Sequence, residues 1–184
     1  MSFDEFKQSY AVHKMGEQET VKAFDCGDED LNGFILTDAT FYRKEKLAVT
    51  YTVLEKESVD KVVAFFSLSN DRISISDFDN KTKYNRFSRR FNNHKRLKSY
   101  PAAKIGRLAV HSSAKGKNIG STLLDFIKRY FTIDNKTGCR FITVDAYAAA
   151  IPFYLKNGFV PLNEEDIDEP TRLLYFYLND LNEY

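Results

Sequence analysis

AKIGRLAVHSSAKGKNIGSTLLDFIKR, residues 103–129, reads as a strand that empties into a glycine-bearing loop and resumes as a helix. Ile105, Leu108, Ala109 and Val110 form the short apolar run of a buried strand. Gly116 and Gly120 bracket Lys117, Asn118 and Ile119, and Ile119, Leu123, Leu124 and Ile127 then recur at helical spacing. The first amides of such a helix have no intrahelical acceptor, and the helix dipole leaves partial positive charge beside them. A strand, a tight loop and a helix in this order make a cradle for phosphate oxygens.

Two familiar phosphate-binding patterns do not fit. The triphosphate loop requires Gly, four residues and then Gly-Lys-Ser/Thr, whereas Gly120 is followed by Ser121 and Thr122. The dinucleotide fingerprint requires a third glycine and an acid about 20 residues further on. What remains is an anion site made from backbone donors, or a plain strand, loop and helix connection that binds nothing.

Downstream, RFITVDA (140–146) is a strand, so residues 103–146 form a strand, helix (118–132), strand crossover. A crossover of this kind makes its two strands parallel neighbours. Ligands in such sheets sit beyond the carboxyl ends of the strands, which puts Val110 and Asp145 at the edge of a site. A short helix near 148–157, stopped by Gly158, and strands near 158–162 and 171–178 complete this half.

Upstream, a short N-terminal strand is followed by an amphipathic helix from Asp28 to Glu45, with Leu31, Phe34, Ile35, Ala39 and Tyr42 on one face and capping positions at Cys26, Gly27 and Asp28. Leu47, Val49, Tyr51 and Val53 alternate inward along strand 47–56, and a turn at 57–60 joins it to strand 61–69 as a hairpin. Ile73 and Ile75 extend the sheet over 72–78. Antiparallel strands followed by one parallel crossover give a mixed α/β sheet with flanking helices.

The chain has 184 residues, enough to bury a core without disulfide staples, and no internal repeat, biased tract or linker divides it, so a single domain over 1–184 is expected. No apolar run approaches the ~20 residues of a membrane span. MSFDEFKQSY carries acids where a secretory leader would be basic, which points to the cytoplasm and to no membrane partner. Cys26 and Cys139 are expected to be free and partly buried. His13, His94 and His111 make no ligand set with them, so no metal is implied. His111 follows the strand closely enough to line a site, or is an exposed loop histidine.

GRLAVHSSAKGKNIGSTLL, ITVDA and AAAIPFYLKNGFVPL, in that order, resemble the core of the GNAT superfamily of acyl-CoA N-acyltransferases. FDCGDEDLNGFI and VVAFFSLSN resemble the early helix and sheet of the branch that includes tRNA-acetylating toxins. The resemblance implies a mostly antiparallel central sheet and acetyl-CoA as co-substrate. The family's loop pattern lands on Lys115, Asn118 and Gly120, with lysine in place of the usual first residue and Asn118 where glycine is expected. Asparagine is the best non-glycine occupant of a left-handed backbone position, so the turn survives the change.

By the same resemblance, the pyrophosphate lies over Lys115, Gly116, Lys117, Asn118, Ile119, Gly120 and Ser121. The pantetheine arm follows Leu108, Ala109 and Val110, and an amide near Val110 polarises the thioester carbonyl. Lys115 and Lys117 supply point charges for phosphate, or are merely solvated. Tyr154 matches the tyrosine that protonates the departing thiolate; its ordinary pKa near 10 keeps it protonated at neutral pH, although a Phe-Tyr pair is also common core packing. Asp145 is a candidate base for the attacking amine, or a helix cap.

KTKYNRFSRRFNNHKRLK, residues 81–98, carries Lys81, Lys83, Arg86, Arg89, Arg90, Lys95, Arg96 and Lys98 without an acid, together with Tyr84, Phe87 and Phe91. Such a mixture suits RNA phosphates and unpaired bases. It equally suits an amphipathic helix whose aromatics enter the core while its cations face water. Residues 163–184 are acidic in contrast, and the net charge of +1 argues against a broad nucleic-acid surface.

The leading expectation is direct acetyl transfer from acetyl-CoA to a primary amine, on a small molecule or on aminoacyl-tRNA. The alternatives are a toxin that acetylates aminoacyl-tRNA and is held by an antitoxin, and a non-catalytic RNA- or protein-binding relative. Exposed strand edges and the run Leu173–Leu178 suggest a homodimer.

Overall fold

The computed structural model describes every residue except 92–96, 134, 136, 164–168 and 184, together with all side chains of the described residues but 59, 60, 182 and 183. In chain order the elements are α1 (Phe3–Ser9), β1 (Tyr10–Lys14), α2 (Glu29–Gly33), α3 (Ala39–Lys44), β2 (Val49–Glu55), β3 (Ser58–Ser74), α4 (Lys81–Arg89), β4 (Ser99–Val110), α5 (Ile119–Ile133), β5 (Phe141–Tyr147), α6 (Ile151–Lys156), β6 (Val160–Pro161) and β7 (Thr171–Tyr177). Among the described residues seven strands form one sheet in the order β1-β2-β3-β4-β5-β7-β6. β4 and β5 pair in parallel through Ala102↔Phe141, Ala103↔Ile142 and Lys104↔Thr143, as the crossover requires. The β1–β2, β2–β3, β5–β7 and β6–β7 pairs are antiparallel.

Two compact units make up the chain, residues 1–69 with 105–130 and residues 70–104 with 131–184; β3 and β4 each run through both. The first unit's core gathers Met15, Phe24, Phe34, Ile35, Val62, Phe65 and Ala109. The second is largely aromatic, built on Ile73, Phe78, Tyr84, Phe87, Phe91, Tyr100, Phe141 and Tyr175. Phe87 meets Phe78, Phe91, Phe141 and Tyr175 at ring distances of 4.9–5.6 Å. Tilted and edge-on contacts of this kind add to the area that the rings bury.

Several expectations are corrected. The N-terminus opens with a helix ahead of its strand, because Ser2 and Glu5 close a reciprocal capping box (Ser2 N to Glu5 Oε2 2.6 Å, Glu5 N to Ser2 Oγ 3.2 Å). The helix expected over 28–45 is capped by Asp28, as anticipated, but Phe34–Asp38 is a π-helical turn. Thr37 Oγ1 takes the Gly33 carbonyl at 2.6 Å, and Ala39 N reaches back to the Phe34 carbonyl. A threonine hydroxyl competing for the carbonyl four residues back loosens the helical ladder.

The inward alternation expected over 47–56 is only partly met: Val53 is buried, but Leu47, ahead of β2, is 53% exposed, and Thr50 and Thr52 are buried. Both faces are covered here, since Tyr51 stacks on Phe66 at 4.9 Å on the face opposite the threonines, so polarity does not mark an outside. Beyond Ser74 the strand yields to a 3-10 turn, Ile75–Asp77, closed by Ser74 N donating 2.6 Å to Asp77 Oδ2. Leu174, Tyr175, Phe176 and Leu178 are buried in the core, which withdraws most of the run suggested for a dimer face. Cys26 and Cys139 are both free and buried, and desolvation pushes the Cys139 thiol up to about 11.

Candidate functional site

At the end of β4, Ala109 is buried, and Leu108 and Val110 are half-buried. His111 N donates to the Val63 carbonyl at 2.8 Å, which carries the sheet's pairing one residue past the strand. A 3-10 turn, Ser112–Ala114, follows, with the His111 ring accepting from Ser113 N at 3.1 Å. The ring also meets Phe24 edge-on, so His111 is a structural cap in this unit. Gly116 at φ +80° and Asn118 at φ +60° then reverse the chain, which confirms the left-handed conformation expected of Asn118.

α5 starts immediately afterwards. Thr122 closes its first turn on the Asn118 carbonyl through both N (3.2 Å) and Oγ1 (3.0 Å). Ile119 and Leu123 are buried and anchor the helix, while Lys115, Gly116, Lys117 and Asn118 are exposed and Gly120 and Ser121 half-exposed. The leading amides of the helix lack intrahelical acceptors by geometry. Among the described residues no hydrogen bond engages the amides of Gly116, Lys117 or Asn118 either. The turn is an open array of backbone donors with room beside it: a Cβ added at Gly116 meets nothing within 4 Å.

Lys115 is engaged within the protein. Its ammonium donates 2.8 Å to the Cys26 carbonyl. The segment around Cys26 is held in turn by Asn32, whose Oδ1 accepts from Cys26 N at 2.9 Å and whose Nδ2 donates to Asp25 Oδ1 at 3.1 Å. Donation from Gly27 N (2.8 Å) and Asn32 holds the Asp25 carboxyl below the usual range. The Asp25 carbonyl accepts from Ser112 N at 2.8 Å. Sequence reading took FDCG as a helix entry; the signal for more was the cluster of turn formers, Asp25, Gly27, Asp28 and Asn32, in eight residues. Arg107, also missed, lies over the Phe34 ring at 4.3 Å.

In the second unit, Tyr154 sits in α6 and is 6% exposed, edge-on to Phe153 (5.2 Å) and Phe159 (5.4 Å). Desolvation pushes its phenol up to about 12. Among the described residues its hydroxyl has no hydrogen-bond partner. Asn157 and Gly158, the latter at φ +80°, close the helix behind it, Gly158 N reaching the Leu155 carbonyl at 3.0 Å. Asp145 lies inside β5 opposite Leu173 and accepts from Lys104 Nζ, so it caps no helix.

Over Lys81–Arg89 the basic segment forms the amphipathic helix α4. Tyr84, Phe87 and Phe91 are buried, so they are unavailable for stacking on bases. Lys83 pairs with Asp79 at 2.6 Å and Arg90 donates to Tyr175 at 2.9 Å, leaving Lys81, Arg86 and Arg89 of α4, with Lys98 beyond it, as exposed cations among the described residues. His94, Lys95 and Arg96 lie outside the described residues, as do Glu164, Glu165, Asp166 and Asp168 of the acidic tail. Among the described residues no group of His, Cys, Asp or Glu is arranged to hold a metal ion, and no helix is long and apolar enough to cross a membrane.

Comparison with known proteins gives a consistent picture. A family model described as an acetyltransferase (GNAT) domain matches residues 48–161. Among solved structures, a tyrosine-to-phenylalanine variant of KacT superposes with a TM-score of 0.76 at 20% identity, covering 96% of this chain and 99% of that one. AtaTR bound with acetyl-CoA gives 0.75 at 22% identity, covering 96% and 98%. AtaT complexed with acetyl-methionyl-tRNAfMet gives 0.74 at 21%, covering 95% and 98%.

Proposed function

The chain belongs to the GNAT acetyltransferase domain family, and on that premise we propose that it transfers an acetyl group directly from acetyl-CoA to a primary amine. The observation that carries the reading is the left-handed pair Gly116 and Asn118 leading into α5, which leaves main-chain donors of residues 116–121 free for a diphosphate. In this reading Leu108, Ala109 and Val110 carry the pantetheine arm, and Lys117 adds positive charge beside the diphosphate.

The chemistry then needs little else. The amine nitrogen attacks the thioester carbon, and the carbonyl oxygen gains charge that a main-chain donor near Val110 stabilises. The C–S bond breaks, and Tyr154 donates its proton to the leaving sulfur. Asp145, held by Lys104, is the proposed acceptor of the amine's proton. We expect Tyr154→Phe to lower kcat at least tenfold while the acetyl-CoA Kd measured by calorimetry stays near wild type. An unchanged kcat removes Tyr154 from the mechanism.

The acceptor we favour is the amino group of an aminoacyl-tRNA. Support comes from the likeness to AtaT complexed with acetyl-methionyl-tRNAfMet and from the exposed cations of α4. An α-amine on an ester also has a depressed pKa and needs only a weak base. Incubation with labelled acetyl-CoA and total charged tRNA, followed by mass spectrometry, is expected to find N-acetylated aminoacyl adenosine after nuclease digestion. Label confined to small-molecule amines moves the assignment to those acceptors. Growth arrest on expression, relieved by Tyr154→Phe and by a co-expressed antitoxin, is expected if the protein acts as a toxin.

A further inference from the structure

A cation at the entrance of a diphosphate cradle invites the assumption that it binds phosphate, but the Lys115 ammonium is already directed at a main-chain oxygen, the Cys26 carbonyl 2.8 Å away. That oxygen is fixed from several sides. Asn32 Oδ1 receives both Cys26 N (2.9 Å) and Cys26 Sγ (3.2 Å). Asn32 Nδ2 and Gly27 N converge on Asp25 Oδ1 at 3.1 and 2.8 Å. Gly27 holds a left-handed φ of +80°, and a side chain there meets Lys115 Nζ at 3.7 Å. The same segment takes Ser112 N on the Asp25 carbonyl at 2.8 Å, so residues 25–32 grip residues 112–115 at two points.

The grip falls where the backbone needs it. Lys115 is the last extended residue before the left-handed Gly116 and Asn118, whose conformations are unfavourable unless the surroundings fix them. We propose that Asn32 and Lys115 form a latch that sets the backbone of residues 115–118 for diphosphate binding. Lys115 is then a positioning residue whose ammonium reaches the cofactor only through the main chain. The inference rests on the acetyl-CoA reading above and assigns a function to the FDCGDEDLN segment, 24–32, which that reading leaves without one.

Calorimetric titration of acetyl-CoA into wild type, Asn32→Ala, Lys115→Met, the double variant and Lys115→Arg tests it. Either single change is expected to weaken binding about tenfold, the scale of a lost hydrogen bond to a charged group. The double variant is expected to bind no more weakly than the poorer single, because the two changes break one device. Lys115→Arg restores most of the affinity, and the salt dependence of binding is the same in wild type and Lys115→Met.

Losses that multiply to about a hundredfold in the double variant mean independent contributions and overturn the latch. So does a Lys115→Met variant that alone loses affinity and binds with a shallower salt dependence, the mark of direct phosphate contact. If wild type binds acetyl-CoA and Asn32→Ala binds equally well, the latch falls and the cofactor reading stands. If wild type does not bind, both fall. Thermal melting checks folding; should Asn32→Ala not fold, Asn32→Asp replaces it, since it keeps the acceptor for Cys26 N and sets a carboxylate against Asp25.

Discussion

Asn118 carries the conformational burden of the turn. A left-handed backbone costs an ordinary L-residue about 1–2 kcal/mol, which asparagine relieves in part and glycine entirely. Asn118→Gly is therefore expected to leave acetyl-CoA affinity unchanged or tighter, and Asn118→Val to weaken it by about tenfold in the same titration. Equal affinities for all three proteins would mean that the loop binds its ligand without this conformation. Tyr154 poses the complementary problem. Its phenol, pushed up to about 12 by burial, is neutral at every physiological pH. Against a thiol near 8.5, complete proton transfer is uphill by roughly 3.5 pKa units. The phenol thus acts first as a hydrogen-bond donor to sulfur as charge develops there, and net protonation of the thiolate is completed as solvent returns a proton to the phenolate.

α4 shows how one element serves two purposes. Asn80 caps it, accepting from Lys83 N at 3.0 Å, and Tyr84 and Phe87 lock it into the aromatic core while Lys81, Arg86 and Arg89 face water. Phe87→Ala is expected to cost about 3–5 kcal/mol in denaturant unfolding. Arg86→Gln is expected to change stability by less than about 0.5 kcal/mol but to lower tRNA affinity and its salt dependence. Strong RNA binding with no sensitivity to Arg86 or Arg89 would take this helix out of the interface. The elements that were legible in the sequence were those where pattern and burial agree: strand 103–110, helix α5, the parallel return at 141–147, and the stop at Gly158. The capping box before α1, the π-helical turn and the buried threonines of β2 were not. Each depends on a side chain meeting a backbone group or on a second covered face, and hydrophobic period reports neither. The Lys115 contact was hidden for a related reason, because its carbonyl partner at Cys26 is 89 residues away in the chain.

For the molecule as a whole, the aromatic composition has a consequence at high pH. Burial raises the phenols of Tyr84 and Tyr154 to about 12, Tyr51 and Tyr175 are raised as well, and the Cys139 thiol is raised from 9.0 to about 11. Each group keeps its proton in the folded chain and releases it at a lower pH in the unfolded chain. Its contribution is therefore complete below the unfolded value and is lost as pH climbs toward the folded one. Lys128, lowered by burial, opposes this as a single group. Urea midpoints are expected to be flat from pH 7 to about 9 and to fall steeply from 10 to 12, with a shallower fall in Tyr154→Phe. A midpoint independent of pH up to 12 would contradict the burial of these rings. The two enclosed sulfhydryls lead to a practical end. With Cys26 and Cys139 both shut away from solvent, maleimides and iodoacetamides find no target on the folded protein, so a cysteine engineered at exposed Lys156 becomes the single attachment point for a fluorophore or spin label in the native sequence background.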